Sequence, residues 1–425
     1  MQHRGQEGAG IAVISGNTIV CHKNRGPVSE VFSGNIIEEL KSRYAVGHCQ
    51  FTIEGKKTAE NIQPVFTEYL IGRIATIHNG NVINAKELKE ELMTYGIAFM
   101  GTSDSEIISK LIAYHSTKEK NVLGGIKTAA ELLKGAFSLI VLSTENNKLI
   151  AVRDSSGFRP LCIGKNEKGI AVASESCALD TCGFDFVRNI KPGEIVVVEN
   201  GEITYEEVVL TPKIKNTGSC IFEYVYFARP DSFIDDLSVY EARVNLGKIL
   251  AKEHPVKADV VCGVPDSGLE AAIGYSIESG VPLVPGLVRN RYIGRSFIYP
   301  TQAQRENAVR LKFNALKSNI EGKSIILVDD SIVRGTSTEK IVRLMKNAGA
   351  KEVHMAISSP PVKYACHFGV IETKSEEDLF ANKMSIEEIR RKIGADSLAY
   401  ISIAGLKEAC GGCSLPLCAH CFEKN

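Results

Sequence analysis

The chain has 425 residues, 44% of them hydrophobic and 24% charged, and its 50 basic residues are matched by 50 acidic ones. A neutral chain has no long-range field to draw it to nucleic acid or to an anionic membrane, and no apolar run reaches the roughly 18 residues that a membrane helix needs. The length favours two domains over one, and the start "MQHRGQEGAG", with no apolar signal core, predicts a cytoplasmic protein with neither membrane nor nucleic-acid partner.

From Ile11 to Lys23, "IAVISGNTIVCHK" alternates around a Gly16-Asn17 turn and predicts a hairpin. Further strands are expected at "YAVGHCQF", "RIATIHNG", "FSLIVLS", "KLIAVRD", "LCIGK", "GIAVASES" and "GEIVVVENGEITYEE". Apolar residues recur every three to four positions in "NAKELKEELMTYG", "SDSEIISKLIAYH" and "NVLGGIKTAAELLKGA", the period of amphipathic helices. The first half is therefore α+β with a mainly antiparallel sheet.

After "TPKIKNTG" (Thr211 to Gly218) the pattern changes. Helical "SVYEARVNLGKILAKE" leads into "ADVVCGVP", "LEAAIGYSIESG", "SIILVDD", "STEKIVRLMKNAG" and "EVHMAIS", an alternation that predicts an α/β unit with a parallel sheet. Within it, "RNRYIGRSFIYPTQAQRENAVRLK" concentrates Arg289, Arg291, Arg295, Arg305, Arg310 and Lys312, a local site for a polyanion. A solvated loop, or RNA contact through Tyr292, Phe297 and Tyr299, is the other reading.

The strand Ile325 to Val328 ends directly at Asp329 and Asp330. In a parallel sheet ligands bind beyond the carboxyl ends of strands, so both acids can face one site while Arg334 to Thr338 opens a helix whose N–H groups can cradle a phosphate. A ligand with vicinal hydroxyls and a nearby phosphate suits both. The plain alternative is a polar turn whose side chains cap the helix.

Of the twelve cysteines, Cys410, Cys413, Cys418 and Cys421 crowd the tail as "CGGCSLPLCAHC", a pattern of metal ligation in a reducing compartment. Cys162, Cys177, Cys182 and Cys262 read as ordinary buried thiols.

The string "VDDSIVRGT" resembles the signature of type I phosphoribosyltransferases, in the variant of the amidophosphoribosyltransferase family. That resemblance implies that Asp329 and Asp330 engage the ribose hydroxyls of phosphoribosyl pyrophosphate, and that Arg334, Gly335, Thr336, Ser337 and Thr338 hold its 5′-phosphate. "GVPDSG" (Gly263 to Gly268) matches the family's pyrophosphate loop, where Ser267, Asp329 and Asp330 would position Mg2+, and the basic segment becomes a flap.

The first half carries "QHRGQEGAGI", "HNGNVINAKEL", "GTSDSE", "RDSSGFRPLCIGK", "ASES" and "VRNIKPGEIVVV", which resemble the family's N-terminal-nucleophile-hydrolase-like glutaminase domain. The resemblance places Asn79 and Gly80 in an oxyanion hole and Asp104 on the α-amino group of glutamine. It also places Cys220, Cys366, Cys418 and Cys421 as ligands of a [4Fe–4S] cluster, with zinc on the two tail pairs as the chemical alternative.

Two departures stand out. The family's mature chain begins with a cysteine nucleophile and a strand ahead of "QHRGQE", whereas this sequence starts at Met1-Gln2-His3, so an incomplete, N-terminally shortened domain is expected. Where the family has Gly-His-x-Arg-Tyr, this chain has "GHCQF", and neutral Gln50 cannot make the charge-assisted pair that arginine makes with the glutamine carboxylate. Cys49 and Cys21 read as structural.

The expectation is a class II glutamine amidotransferase-like domain over 1–212, a type I phosphoribosyltransferase domain over 213–400 and a cysteine-rich tail over 401–425. The implied enzyme forms 5-phosphoribosylamine for de novo purine synthesis, uses ammonia because glutamine hydrolysis is lost, takes purine nucleotides as inhibitors and assembles as a homo-oligomer. The rival is a non-catalytic paralogue that senses phosphoribosyl pyrophosphate or nucleotides.

Overall fold

The computed structural model describes residues 1–51, 58–212, 217–290, 313–366, 368 and 376–423. The flap assigned from sequence lies outside them from residue 291 to 312.

The first half is built in layers around one six-stranded antiparallel sheet. Its strands are β4 (Val65–Tyr69), β5 (Gly72–Val82), β6 (Gly135–Ser143), β7 (Lys148–Arg153), β11 (Glu194–Glu199) and β12 (Glu202–Val208), in the order β12-β11-β7-β6-β5-β4. Side chains alternate across a strand, so Leu139 and Val141 face the helices while Ile140 and Leu142 face the other way. The helical layer is α1 (Ala85–Thr94), α2 (Asp104–Glu119) and α3 (Val122–Leu132). The opposite layer holds two three-stranded sheets: β2 (Thr18–Arg25), β1 (Gly8–Ser15) and β3 (Ala45–Gln50), and β10 (Asp185–Asn189), β8 (Cys162–Asn166) and β9 (Gly169–Ala173). Cover on both faces explains why "FSLIVLS" is buried at every position although its sheet is antiparallel. The short helix α4 (Ser176–Cys182) follows β9.

The second half is a doubly covered parallel sheet, β14 (Val260–Gly263), β15 (Ser324–Asp329), β16 (Glu352–Ile357) and β17 (Ser397–Tyr400), paired in that order. One face carries α5 (Val239–Glu253) and α6 (Leu269–Ser279); the other carries α7 (Thr336–Asn347) and α8 (Ile386–Ile393). Ile326 and Val328 join the first core, Ile325 and Leu327 the second, and all four are fully buried.

Helix α9 (Ile403–Ala409) leads into the tail, where β18 (Leu417–Cys418) pairs in parallel with β13 (Ser219–Cys220). Phe422 stacks on Phe222 with ring centroids 5.6 Å apart, inside the core shared with α5 and α6. The tail is thus part of the fold and not an appendage. Among the described residues, no helix is long and apolar enough to cross a membrane.

Truncating Phe422, which is 2% exposed, removes a ring from a closed core. We expect Phe422→Ala to cost about 3–5 kcal/mol of unfolding free energy in urea titration.

Candidate functional site

Two centres emerge, one in each half. The first sits where β15 leaves the parallel sheet. Asp330 is buried, and both of its carboxylate oxygens accept hydroxyl hydrogen bonds, Oδ2 from Ser267 and Oδ1 from Ser331 at 2.5 Å. The Asp330 backbone N–H donates to Asp329 Oδ1 at 2.9 Å, so the two acids are ordered together. Burial raises the Asp330 carboxyl above its usual range, against the pull of the two serine hydroxyls and of Arg243.

The loop Val264–Gly268 is held beside them by Val264 N–H donating to the Val328 carbonyl at 2.8 Å. Its Asp266 pairs with Arg289. Past Asp330 the chain turns through Gly335, at φ +66, into α7. A Cβ at Gly335 would stand 2.0 Å from the Phe380 ring, so only glycine fits the turn. Thr336 and Ser337 are exposed and Thr338 is buried, and the first-turn N–H groups of α7 have no acceptor within the helix. The sequence-predicted group Ser267, Asp329, Asp330, Arg334 and Gly335 to Thr338 therefore gathers at one sheet edge, with two acids beside an anion-ready helix start.

The second centre is a cavity of about 620 Å³ in the first half, lined among others by His48, Gln50, Asn79, Gly80, Asp104 and Arg159. Gly80 sits at φ +150 on β5, and a Cβ there would meet the Ala136 carbonyl oxygen at 2.0 Å. Asn79 Nδ2 is buried with no hydrogen-bond partner among the described residues, a donor left for a ligand. Asp104, the first residue of α2, accepts from Val82 N–H at 3.2 Å and lies 3.5 Å from His78 Nδ1. Burial pushes its carboxyl up, but His78 and the backbone N–H groups outweigh that and leave it below the usual range. Burial, then the His78 ring, lowers His48 to about 4, so its imidazole is neutral at pH 7.

Gln50 is buried and fully engaged: its Nε2 donates to the Asn61 carbonyl and its Oε1 accepts from Gln63 N–H, each at 2.9 Å. Its amide is a staple for the neighbouring loop. Burial raises the Cys49 thiol, as it does that of Cys21.

A set of buried charges between the halves stands outside the sequence motifs. Glu175 accepts from Arg4 and from Ser232 and lies 2.6 Å from His3, and Glu223 accepts from Arg4 at 2.6 and 3.0 Å and from Arg159 at 3.0 Å. Arg153 makes a bidentate pair with Asp235 at 2.7 and 2.8 Å. The available signal was Glu223 itself, a lone acid inside the apolar run "CIFEYVYF". Burial works to raise the Glu175 carboxyl, but Arg4, His3 and the Ser232 hydroxyl hold it well below its usual range.

Cys220, Cys366, Cys418 and Cys421 lie within one another's electrostatic field, Cys220 and Cys418 being register partners of the tail pairing. Cys410 and Cys413 are placed apart from them, Cys413 Sγ accepting from the Tyr224 hydroxyl at 3.4 Å. All twelve thiols are free, and among the described residues no group of three or more His, Cys, Asp or Glu is assembled as a ready metal cage.

Residues 48–181 match the glutamine amidotransferase domain family, and residues 238–363 match the phosphoribosyl transferase domain family. The amidophosphoribosyltransferase of Methanocaldococcus jannaschii is 46% identical over 423 residues, spanning 97% of this chain and 89% of that one. The Bacillus subtilis amidophosphoribosyltransferase is 43% identical over 414 residues, 97% of this chain and 85% of its own. A solved structure described as the allosteric regulatory enzyme of purine biosynthesis superposes with a TM-score of 0.90 at 41% identity, over 100% of this chain and 90% of that one. The B. subtilis glutamine phosphoribosylpyrophosphate amidotransferase complexed with ADP and GMP gives 0.89, also at 41% identity, over 100% and 92%.

The depressed Glu175 carboxyl makes a signed prediction. Its stabilisation is complete above the unfolded value near 4.5 and is lost as pH falls towards the lower folded value. We expect Glu175→Gln to lose about 3–5 kcal/mol at pH 7, as when one partner of a buried ion pair is removed. The variant's stability should fall less steeply than wild type below pH 4.5, as read by denaturant titration across pH.

Proposed function

The chain belongs to the amidophosphoribosyltransferase family, and on that premise we propose how its two halves divide the work. It is a glycosyltransferase that forms 5-phosphoribosylamine from phosphoribosyl pyrophosphate in purine synthesis. C1 of the ribose exchanges its bond to pyrophosphate for a bond to nitrogen.

At the edge of the parallel sheet, Asp329 and Asp330 accept hydrogen bonds from the ribose hydroxyls. Arg334 and the N–H groups of Gly335 to Thr338 hold the 5′-phosphate, and the loop Gly263–Gly268 receives the diphosphate. Mg2+ bound by Asp329, Asp330 and Ser267, partly hydrated, would neutralise charge on the departing pyrophosphate. The single observation that carries this reading is Asp330: a buried acid at the end of a parallel strand, fixed by Ser267 of the facing loop and adjoining an open helix start.

In the first half, Asn79 and Gly80 are the oxyanion-hole positions and Asp104 is the acid for an α-amino group. Glutamine hydrolysis is nevertheless lost in this reading, so nitrogen is taken as free ammonia. Two observations support that: Gln50 spends its amide on the loop at 61–63, and Cys49, a thiol of the cavity wall, is held protonated by burial. The domain limits that accompany this reading are 1–212, 213–400 and 401–425. Purine nucleotides as inhibitors are in keeping with the ADP and GMP in the B. subtilis complex, and a homo-oligomer is part of the same proposal.

Cys220, Cys366, Cys418 and Cys421 would hold a [4Fe–4S] cluster that fastens the tail to the body, leaving Cys410 and Cys413 outside the ligand set. Anaerobically purified protein should contain iron and acid-labile sulfide, and Cys366→Ser should lose both; zinc in their place would favour the zinc alternative.

Pyrophosphate release tests the reaction. We expect turnover with ammonium, none above background with glutamine, and a fall of about 10–100-fold for Asp330→Asn, the weight of a charged hydrogen bond. Glutamine-dependent turnover by the purified chain would refute the loss of hydrolysis, and no turnover with either donor would refute the enzyme reading.

A further inference from the structure

The two candidate sites lie in different halves, and one buried side chain of the second half touches both a turn that walls the first site and the helix that follows a loop of the second. Glu223–Phe227 forms a single π-helical turn, a rare conformation that is frequent at functional sites. On one side, its Glu223 carboxylate binds Arg4 and Arg159, and its Phe227 ring lies 5.5 Å from the Arg159 guanidinium. Arg4, Arg159 and Phe227 all line the first-half cavity.

The other side of that turn is held by Arg243 of α5, which is 3% exposed. Its Nε donates to the Tyr224 carbonyl at 2.8 Å and its Nη2 to the Ala228 carbonyl at 2.7 Å. The remaining nitrogen, Nη1, faces Glu270 Oε2 at 3.7 Å. That oxygen is buried without a hydrogen-bond partner among the described residues, so the guanidinium offsets its desolvation. Glu270 lies in the first turn of α6, three residues after Ser267, whose hydroxyl donates to Asp330. Contacts therefore run without a break from the cavity wall, through the π-helical turn and Arg243, to the acids at the end of β15.

Resting on the reading that Ser267 and Asp330 help hold phosphoribosyl pyrophosphate, we infer that Arg243 is a positioning residue for that substrate. It sets the first turn of α6, and with it Ser267 and Asp330, against the turn that walls the other site. A planar guanidinium serves two carbonyls and a carboxylate at once; an ammonium on a flexible stem cannot. The fork thus ties the turn at the cavity wall to the first turn of α6 by direct contacts.

The test uses the full chain and measures KM for phosphoribosyl pyrophosphate and kcat in ammonium-dependent turnover, with calorimetric binding of the same compound as an equilibrium readout. Arg243→Lys should raise KM and the dissociation constant about tenfold, the weight of one buried hydrogen bond, with a smaller change in kcat. Glu270→Gln, which keeps the shape and removes the charge, should shift KM in the same direction by less. Arg159→Lys, at the far end, should raise KM in wild type but add little in the Arg243→Lys background, a non-additivity that independent sites lack.

Should Arg243→Lys fail to fold by circular dichroism, Glu270→Gln and its double variant with Arg159→Lys decide the matter in the same way. Unchanged KM and binding in folded variants, or effects that simply multiply, would overturn the inference while leaving the enzyme reading intact. A wild-type chain that neither binds nor turns over phosphoribosyl pyrophosphate overturns that reading, and this inference with it.

Discussion

A strand covered by helices on both faces can carry charge only where it leaves them, and the second half of this chain is organised by that constraint. Ile325 to Val328 are fully buried, each alternate side chain committed to one of two cores, so Asp329 and Asp330 emerge together at the carboxyl edge. Everything near them is arranged to keep two acids at a dry boundary. Ser267 arrives on the neighbouring loop, Ser331 on the next residue, and Gly335 takes the left-handed turn that starts α7 close by. A site for a sugar phosphate is the natural use of such an edge, since hydroxyls need acceptors and phosphates need donors within one short span.

Buried charge has a second role where the halves meet. Arg4, Glu175, Glu223 and Arg159 form one net, and Arg153 with Asp235 forms a separate bidentate pair nearby in sequence. Ion pairs of this kind contribute little over a well-packed apolar seam, but any one charge left without its partner is costly. The seam is therefore selective more than it is strong: it accepts the arrangement in which every guanidinium meets its acid and rejects neighbours in which one does not. That selectivity fixes the π-helical turn Glu223–Phe227, against which Arg243 is braced.

Much of the fold was legible because period follows environment. The Gly16-Asn17 hairpin, the helices α1 to α3 and the parallel alternation after residue 217 all appear where apolar spacing placed them. Other parts were silent for physical reasons. Helix α4 is "SCALDTC", too short at seven residues to show a periodic stripe, and the division of the outer layer into two sheets leaves no local trace. At the parallel-sheet edge the site was readable, since acids that follow an apolar run are conspicuous. Arg243 was not: within "VYEARVNLGK" it reads as the wet face of an amphipathic helix, and only the fold reveals that this face is covered. Likewise spacing alone does not distinguish Cys418 and Cys421 from Cys410 and Cys413, and only the fold shows that Cys418 is the register partner of Cys220.

The two hydrogen bonds of Gln50 also limit what this position can accept. An arginine placed there could still donate to the Asn61 carbonyl but would strand the Gln63 N–H, because a guanidinium has no acceptor to offer it. Exchanging Gln50 thus demands a concerted rebuilding of the stretch around 61–63, because the side chain serves as a splint for the backbone beside it.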